Sequence, residues 1–252
     1  MRTLSTLLCL TLASPALAAP CASSSGPATA ALVELYTSEG CSSCPPADRW
    51  LSTLGSHAGL VVPLSLHVDY WDYIGWKDRF AKGEFSSRQR KLTTLQRRAL
   101  VYTPQVLLQG REFRRWGSAE FDAAVAAINA QPARASLHLE IEALRPERMD
   151  VALRAALADP AEADAVLYVA AYENKLSSEV AAGENRGRKL AHDYVALEWQ
   201  GPFAVGAGGF AERRALPLLP RAVPANSGAA AFVQNRRTGE VLQALMRPAC
   251  RG

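Results

Sequence analysis

The stretch that most constrains this chain is Val33-Glu34-Leu35-Tyr36-Thr37-Ser38-Glu39-Gly40-Cys41-Ser42-Ser43-Cys44-Pro45-Pro46-Ala47-Asp48, which passes from an apolar run through a polar turn into a doubled proline. Residues 31–36 are short, apolar and bounded by turn formers, as in a buried strand, whereas Trp50, Leu51 and Leu54 recur at helical spacing. Proline fits a helix only in its first turn, where backbone N–H groups have no carbonyl partner, so Pro45 and Pro46 place the helix start near Cys41. A thiol at such a start meets free N–H groups and the positive end of the helix dipole, which stabilise its thiolate. Cys41 is therefore the expected attacking thiol, and Cys44, one turn on, the thiol that resolves a mixed disulfide. A Cys-x-x-Cys can also be half of a zinc site or an accident; the strand before it and the helix after it favour the redox pair. His57, His67, His138 and His192 are scattered and give no structural zinc spacing, so no metal is expected.

Compartment is read from the start of the chain. Met1-Arg2, the apolar residues 4–12 and Ala16-Leu17-Ala18 have the order of a secretory leader, cleaved after about residue 18, with Pro20 standing where lipidation would need Cys21. The apolar run is about half of what a membrane-spanning helix requires, and no other segment could span, so no stable membrane insertion follows cleavage. The net charge of +4 points to neither nucleic acid nor an anionic surface as partner. A basic run, Arg88-Gln89-Arg90-Lys91 with Arg97-Arg98, reads as a solvated helix face. Beyond the leader remain Cys21, Cys41, Cys44 and Cys250, an even number suited to an oxidising compartment, periplasmic or secreted. Of three connectivities, the simplest keeps Cys41 with Cys44 and joins Cys21 to Cys250 near the chain ends.

In chain order, residues 59–68 read as a second buried strand ending at His67, followed by an aromatic loop at 70–78 that either packs or faces substrate. Ser86 to Gln89 match a capping box for a helix reaching about Leu100. A proline-led strand at 104–109, a short strand at 111–115 and a helix at 118–130 then give a β-β-α ending, and the whole order builds a sheet flanked by helices. From about residue 134 the pattern alternates strictly, and seven short strands predict a β-sandwich-like second domain. The expected organisation is thus an α/β domain at 28–132, with a helical insertion at about 70–100, followed by an all-β domain at 134–247. The polar connection 174–192 is either a solvated loop or a cover over the thiols.

Glu39-Gly40-Cys41-Ser42-Ser43-Cys44-Pro45 after a strand, with Thr103-Pro104 before a later one, resembles the thioredoxin superfamily. The runs at 33–48, 67–77 and 102–110 are similar to a bacterial family of secreted thioredoxin-like proteins catalogued as a domain of unknown function. The resemblance covers most of the chain beyond the leader. It implies a thioredoxin-like fold for the α/β domain, catalytic roles for Cys41 and Cys44, and a cis-proline loop in which Thr103 and Pro104 contact substrate backbone. Asp69, Trp71 and Glu39 are supporting candidates, Asp69 as a proton acceptor for Cys44 or else as a solvated or capping carboxylate. Gly40 replaces the aromatic residue that commonly precedes the first cysteine, and the Ser-Ser dipeptide is neither the reducing nor the oxidising type, so the redox direction stays open. The expected activity is thiol–disulfide exchange on a thiol- or disulfide-bearing protein or small thiol, with no cofactor. The alternatives are Cu(I) held by Cys41 and Cys44, for which soft sulfur is selective, and an inert structural disulfide. The exchange reading requires the pair to lie near residue 104 with a route to solvent.

Overall fold

A computed structural model describes residues 21–250 apart from positions 58, 99, 163 and 221, so the expected leader at 1–18 lies outside the described residues. The elements are β1 (Ala22–Ser24), β2 (Ala31–Thr37), α1 (Pro45–Thr53), β3 (Val61–His67), α2 (Gly83–Leu95), β4 (Gln105–Leu108), β5 (Arg111–Glu112) and α3 (Ala119–Asn129). There follow β6 (Ala135–Arg145), β7 (Arg148–Leu157), β8 (Ala165–Glu173), β9 (Leu176–Glu179), β10 (Lys189–His192), β11 (Val195–Ala204), β12 (Phe210–Pro217), β13 (Ser227–Asn235) and β14 (Val241–Pro248). One mixed sheet has the order β14-β13-β8-β11-β3-β2-β4-β5, parallel at β11/β3 and β3/β2 and antiparallel elsewhere. A second, antiparallel sheet runs β1-β6-β7-β12, and β9 pairs with β10 as a separate hairpin.

The strands do not divide at residue 134, which corrects the two-domain expectation. β8, β11, β13 and β14 continue the sheet of β2 and β3, joined by parallel pairing of Val195 with Ser65. Only the β1-β6-β7-β12 sheet stands apart, as a second layer: Leu137, Leu139, Val151 and Leu153 pack on Leu167, Val169, Ala229 and Ala231. On the opposite face of the large sheet, Tyr168, Ala170 and Phe232 share a core with Leu32, Leu64 and Leu66, and Phe85 and Leu92 of α2 cover it. α1 and α3 cover the remaining face, with Leu51, Phe121 and Val125 against Val33, Leu35 and Val106. Strands β2, β3, β8 and β13 are buried along their whole length, so they read as apolar runs, and periodicity cannot say which sheet they join.

Two helix starts also differ from the expectation. α1 begins at Pro45, with Cys44 as its cap residue and the prolines in the first two positions, so Cys41 lies in the turn before the helix. The bonds Cys41 N–H to Ser38 O (3.1 Å) and Cys44 N–H to Cys41 O (3.2 Å) build that turn. α2 begins at Gly83 rather than Ser86; the Ser86 hydroxyl instead donates to Asp69 Oδ1. Within α2, Arg88 is buried against Glu34 of β2 (Nε–Oε1 2.5 Å) and donates to Gln234 of β13 (3.1 Å). Its guanidinium lies 4.9–5.0 Å from the ring centres of Tyr168, Trp199 and Phe232. One side chain thus ties the helix to both halves of the sheet.

Candidate functional site

β2 delivers the chain to the cysteines, and its register brings the proline loop alongside. Tyr36 pairs with Gln105, so Thr103-Pro104 enters β4 next to the end of β2, and the Thr103–Pro104 bond is cis. Trp71 closes the remaining gap: its Nε1–H donates to Thr103 Oγ1 (2.7 Å), and its Cβ would stand 3.3 Å from a Cβ placed on Gly40. Such a Cβ would also meet Ile74 at 3.2 Å, which accounts for a glycine where an aromatic residue is common in the family resembled. The aromatic loop therefore packs between the cysteine turn and the proline loop. Asp69 is directed elsewhere, its carboxylate accepting from the Ser86 hydroxyl in the first turn of α2 and lying against Gly83.

Cys41 and Cys44 form a disulfide with Cα atoms 5.5 Å apart, and Cys21 and Cys250 form a second with Cα atoms 5.7 Å apart. Cys41 is 1% exposed and Cys44 0%. The expected open thiol at a helix start is therefore replaced by a covered disulfide. The cover is shallow over Cys41, whose Sγ lies 3.3 Å from the Oγ of Ser43, a residue on the surface.

The 174–192 connection supplies the rest of the cover. It folds into the β9–β10 hairpin, whose tip places Asn185, fully buried, over the turn; its Nδ2 donates to the carbonyls of Glu39 (2.8 Å) and Cys41 (2.9 Å). Next to it the Glu184 carboxylate accepts from Ser42 N–H (2.9 Å), which holds that carboxyl below its ordinary pKa. Gly183, at φ +73°, lies against Ile74. Because Glu184 occupies an N–H beside Cys41 and two of the first helical positions are prolines, few free donors remain to stabilise a thiolate there.

Behind the disulfide lies a cluster of buried ionisable side chains drawn from five parts of the chain: Glu39, Asp48 of α1, His67 of β3, Asp78 and His192 of β10. His67 Nδ1 and Asp78 Oδ2 are 2.7 Å apart, and Asp78 also accepts from the backbone N–H of Glu39 and Phe80 (2.9 Å each). His192 Nε2 lies 3.3 Å from Glu39 Oε1, its Nδ1 4.0 Å from Asp48 Oδ2, and the His67 and His192 rings meet edge to face at 4.9 Å. Glu39 Oε2 accepts from Trp76 Nε1–H (2.8 Å). Burial alone pushes His67 down, but Asp78 beside it overcomes this and raises the imidazole pKa. Burial likewise pushes Asp78 and Glu39 up, and their histidine partners hold them below the usual carboxylate range. Asp48 goes the other way: burial outweighs the nearby histidines and raises its pKa. Among the described residues, Asp48 Oδ1 and His67 Nε2 have no hydrogen-bond partner.

Asp48 follows Cys44 by one helical turn, so the two side chains share a face of α1. Of the cluster, only Glu39 is marked in the sequence as a supporting residue. Asp48 and Asp78 carried no local signal, and His192 lies at the end of the connection that was read as either loop or cover. Among the described residues, no group of three or more His, Cys, Asp or Glu side chains is placed to hold a metal ion.

The architecture defines a class of mixed-sheet protein in which a short-ring disulfide closes where a strand turns into a helix. The chain belongs to the family described as "Protein of unknown function (DUF1223)", which matches residues 32–234. A crystal structure of protein AGR_C_4864 from Agrobacterium tumefaciens is similar, with a TM-score of 0.64 and 26% identity, covering 89% of this chain and 96% of that one. HBP35 of Porphyromonas gingivalis shares the fold at a TM-score of 0.60 and 13% identity, covering 89% of this chain and 76% of that one. No curated protein matches.

Proposed function

We propose that the chain is a periplasmic or secreted thiol–disulfide oxidoreductase of thioredoxin-like architecture, working through Cys41 and Cys44 on a thiol- or disulfide-bearing protein or small thiol. The observation that carries the reading is the Cys41–Cys44 disulfide beside the Thr103–Pro104 loop, backed by a buried histidine–carboxylate cluster. A compartment outside the cytosol is supported by the leader-like residues 1–18 and by two disulfides, and no helix among the described residues is long and apolar enough to cross a membrane.

In the oxidising half-cycle a substrate thiolate attacks Cys41 Sγ, the sulfur nearer the surface, and the Cys41–Cys44 bond breaks. Cys44 leaves as a thiolate and takes a proton from the cluster, where Asp48 is the carboxyl whose raised pKa suits it to hold one. A second substrate thiol then attacks the substrate sulfur of the mixed disulfide, and Cys41 leaves. Two substrate thiols have become a disulfide and the protein disulfide two thiols; the reverse sequence reduces a substrate. Thr103 and Pro104 border the path of the substrate backbone. Access to Cys41 requires the Asn185 tip to lift, since both sulfurs are covered.

That same burial favours a second reading, a structural disulfide that never opens in the folded chain. Equilibration of the native protein in glutathione buffers, with thiols trapped by alkylation, separates the two. Exchange predicts a couple titrating between about −270 and −120 mV. If the pair stays closed in excess dithiothreitol until the chain unfolds, the oxidoreductase reading fails and the structural one stands.

A further inference from the structure

We propose that a cavity at the opposite end of β2 and β3 from the thiols binds a neutral small molecule with an apolar body and a carbonyl head, held by the hydroxyls of Tyr172 and Tyr194. The cavity has a volume of about 400 Å³, within the usual range for ligand sites, and its walls include Leu60, Val61, Leu245 and Met246. Residues at the beginning of β2 and β3 line it, whereas Cys41 follows the end of β2, roughly 20 Å away along the strand. It is therefore separate from the thiol site and does not depend on the reading given to that site.

The two tyrosines are its unusual feature. Tyr172 on β8 is 1% exposed, and Tyr194 stands just before β11; their ring centres are 6.0 Å apart. Both tyrosines line the cavity, Tyr194 only half-buried, and no described residue is hydrogen-bonded to either hydroxyl, so both face its open space. Room for each is kept by a glycine: a Cβ on Gly55 would lie 2.3 Å from the Tyr194 hydroxyl, and one on Gly228 would lie 2.5 Å from that of Tyr172. Tyr194 is also held at φ +57°, a region that a bulky side chain rarely adopts. Its N–H donates to Asn174 Oδ1 and its carbonyl accepts from Ser65 N–H, both at 2.8 Å, so the backbone is fixed on either side. Two hydroxyl donors facing a largely apolar cavity suit a ligand that brings one acceptor on an apolar body. No charged side chain is among the described residues lining the cavity, so a carboxylate or ammonium head would be desolvated with no ion-pair partner on the wall, whereas a carbonyl oxygen accepts from both hydroxyls.

The test is calorimetric titration of the full chain with octan-2-one, octanoate and octylamine. Octan-2-one should bind saturably and at least about tenfold more tightly than either charged probe. Tyr172→Phe and Tyr194→Phe, which remove only the unpartnered hydroxyls, should each weaken the ketone by about three- to tenfold. Gly26→Phe should abolish binding with the circular dichroism unchanged, because Gly26 lines the cavity and a Cβ there meets no atom within 4 Å. Absence of saturable ketone binding, equal or tighter binding of a charged probe, or ketone affinity unchanged in both Phe variants would overturn the assignment.

Discussion

His67 and Asp78 make one buried ion pair whose contribution to stability has two pH limits. The raised His67 pKa gives stability that is complete below the ordinary histidine value of 6.5 and is lost as pH rises through the raised value. The lowered Asp78 pKa gives stability present above 3.8 and lost as pH falls through the lowered value. Both describe the same contact, so melting temperature against pH should show a plateau between these limits and a decline on each side. His67→Asn should flatten the alkaline decline; an identical slope in that variant would show that another group titrates there. Asp78→Ala leaves an imidazolium buried without its partner and should cost about 3–5 kcal/mol in urea unfolding. Residues joined by short-range pattern, such as the Cys41–Cys44 spacing and the proline before β4, were legible in the sequence. The cluster was not, because its members come from five separate segments and each alone looks like an ordinary polar residue. Asp69 stays open in the sequence for the same reason: a carboxylate after a strand has no local mark that says whether it faces a thiol or a neighbouring helix.

Elements were legible where their ends carry their own chemistry. α3 runs from Ala119 to Asn129, within one residue of the expected 118–130 at either end. α1 starts later than the first cysteine because its doubled proline occupies the first two helical positions and pushes the start past the Cys-x-x-Cys turn. The β9–β10 hairpin was hidden inside a polar stretch with two glycines, Gly183 and Gly187, and little apolar pattern, yet it is the element that lies over the cysteine turn. Asn185→Ala removes two of the hydrogen bonds that seat its tip and leaves the Glu39 carbonyl without that donor, at a cost of about 1–3 kcal/mol. Dithiothreitol should then open Cys41–Cys44 roughly ten times faster in the native chain, with global stability lowered by no more than that amount. An unchanged rate of thiol release in a stopped alkylation assay would mean that reductant reaches the sulfurs by a different path.

Across the whole molecule, the eight-stranded sheet merges what the sequence divides. A change of period at residue 134 is real, since β6 and β7 do alternate, but it marks a second layer rather than a second body. The pairing of Val195 with Ser65 is a contact between distant segments that neither segment announces. Arg88 reaches across that junction, and Arg88→Ala leaves Glu34 buried without its partner, a loss of about 3–5 kcal/mol. The unfolding curve of both wild type and variant should remain a single transition when followed by far-ultraviolet circular dichroism and by tryptophan fluorescence. Two separable transitions would show that the halves fold independently.

Cys21 and Cys250, 229 positions apart, are joined by a disulfide at the margins of the described chain. Between them the polypeptide is topologically a ring. Tension applied at those two residues runs through a sulfur–sulfur bond and never reaches the strands, so a pulling experiment on them would record almost no extension until reductant is added. Any machine that unravels proteins from one end would have to draw this one in as a doubled cord.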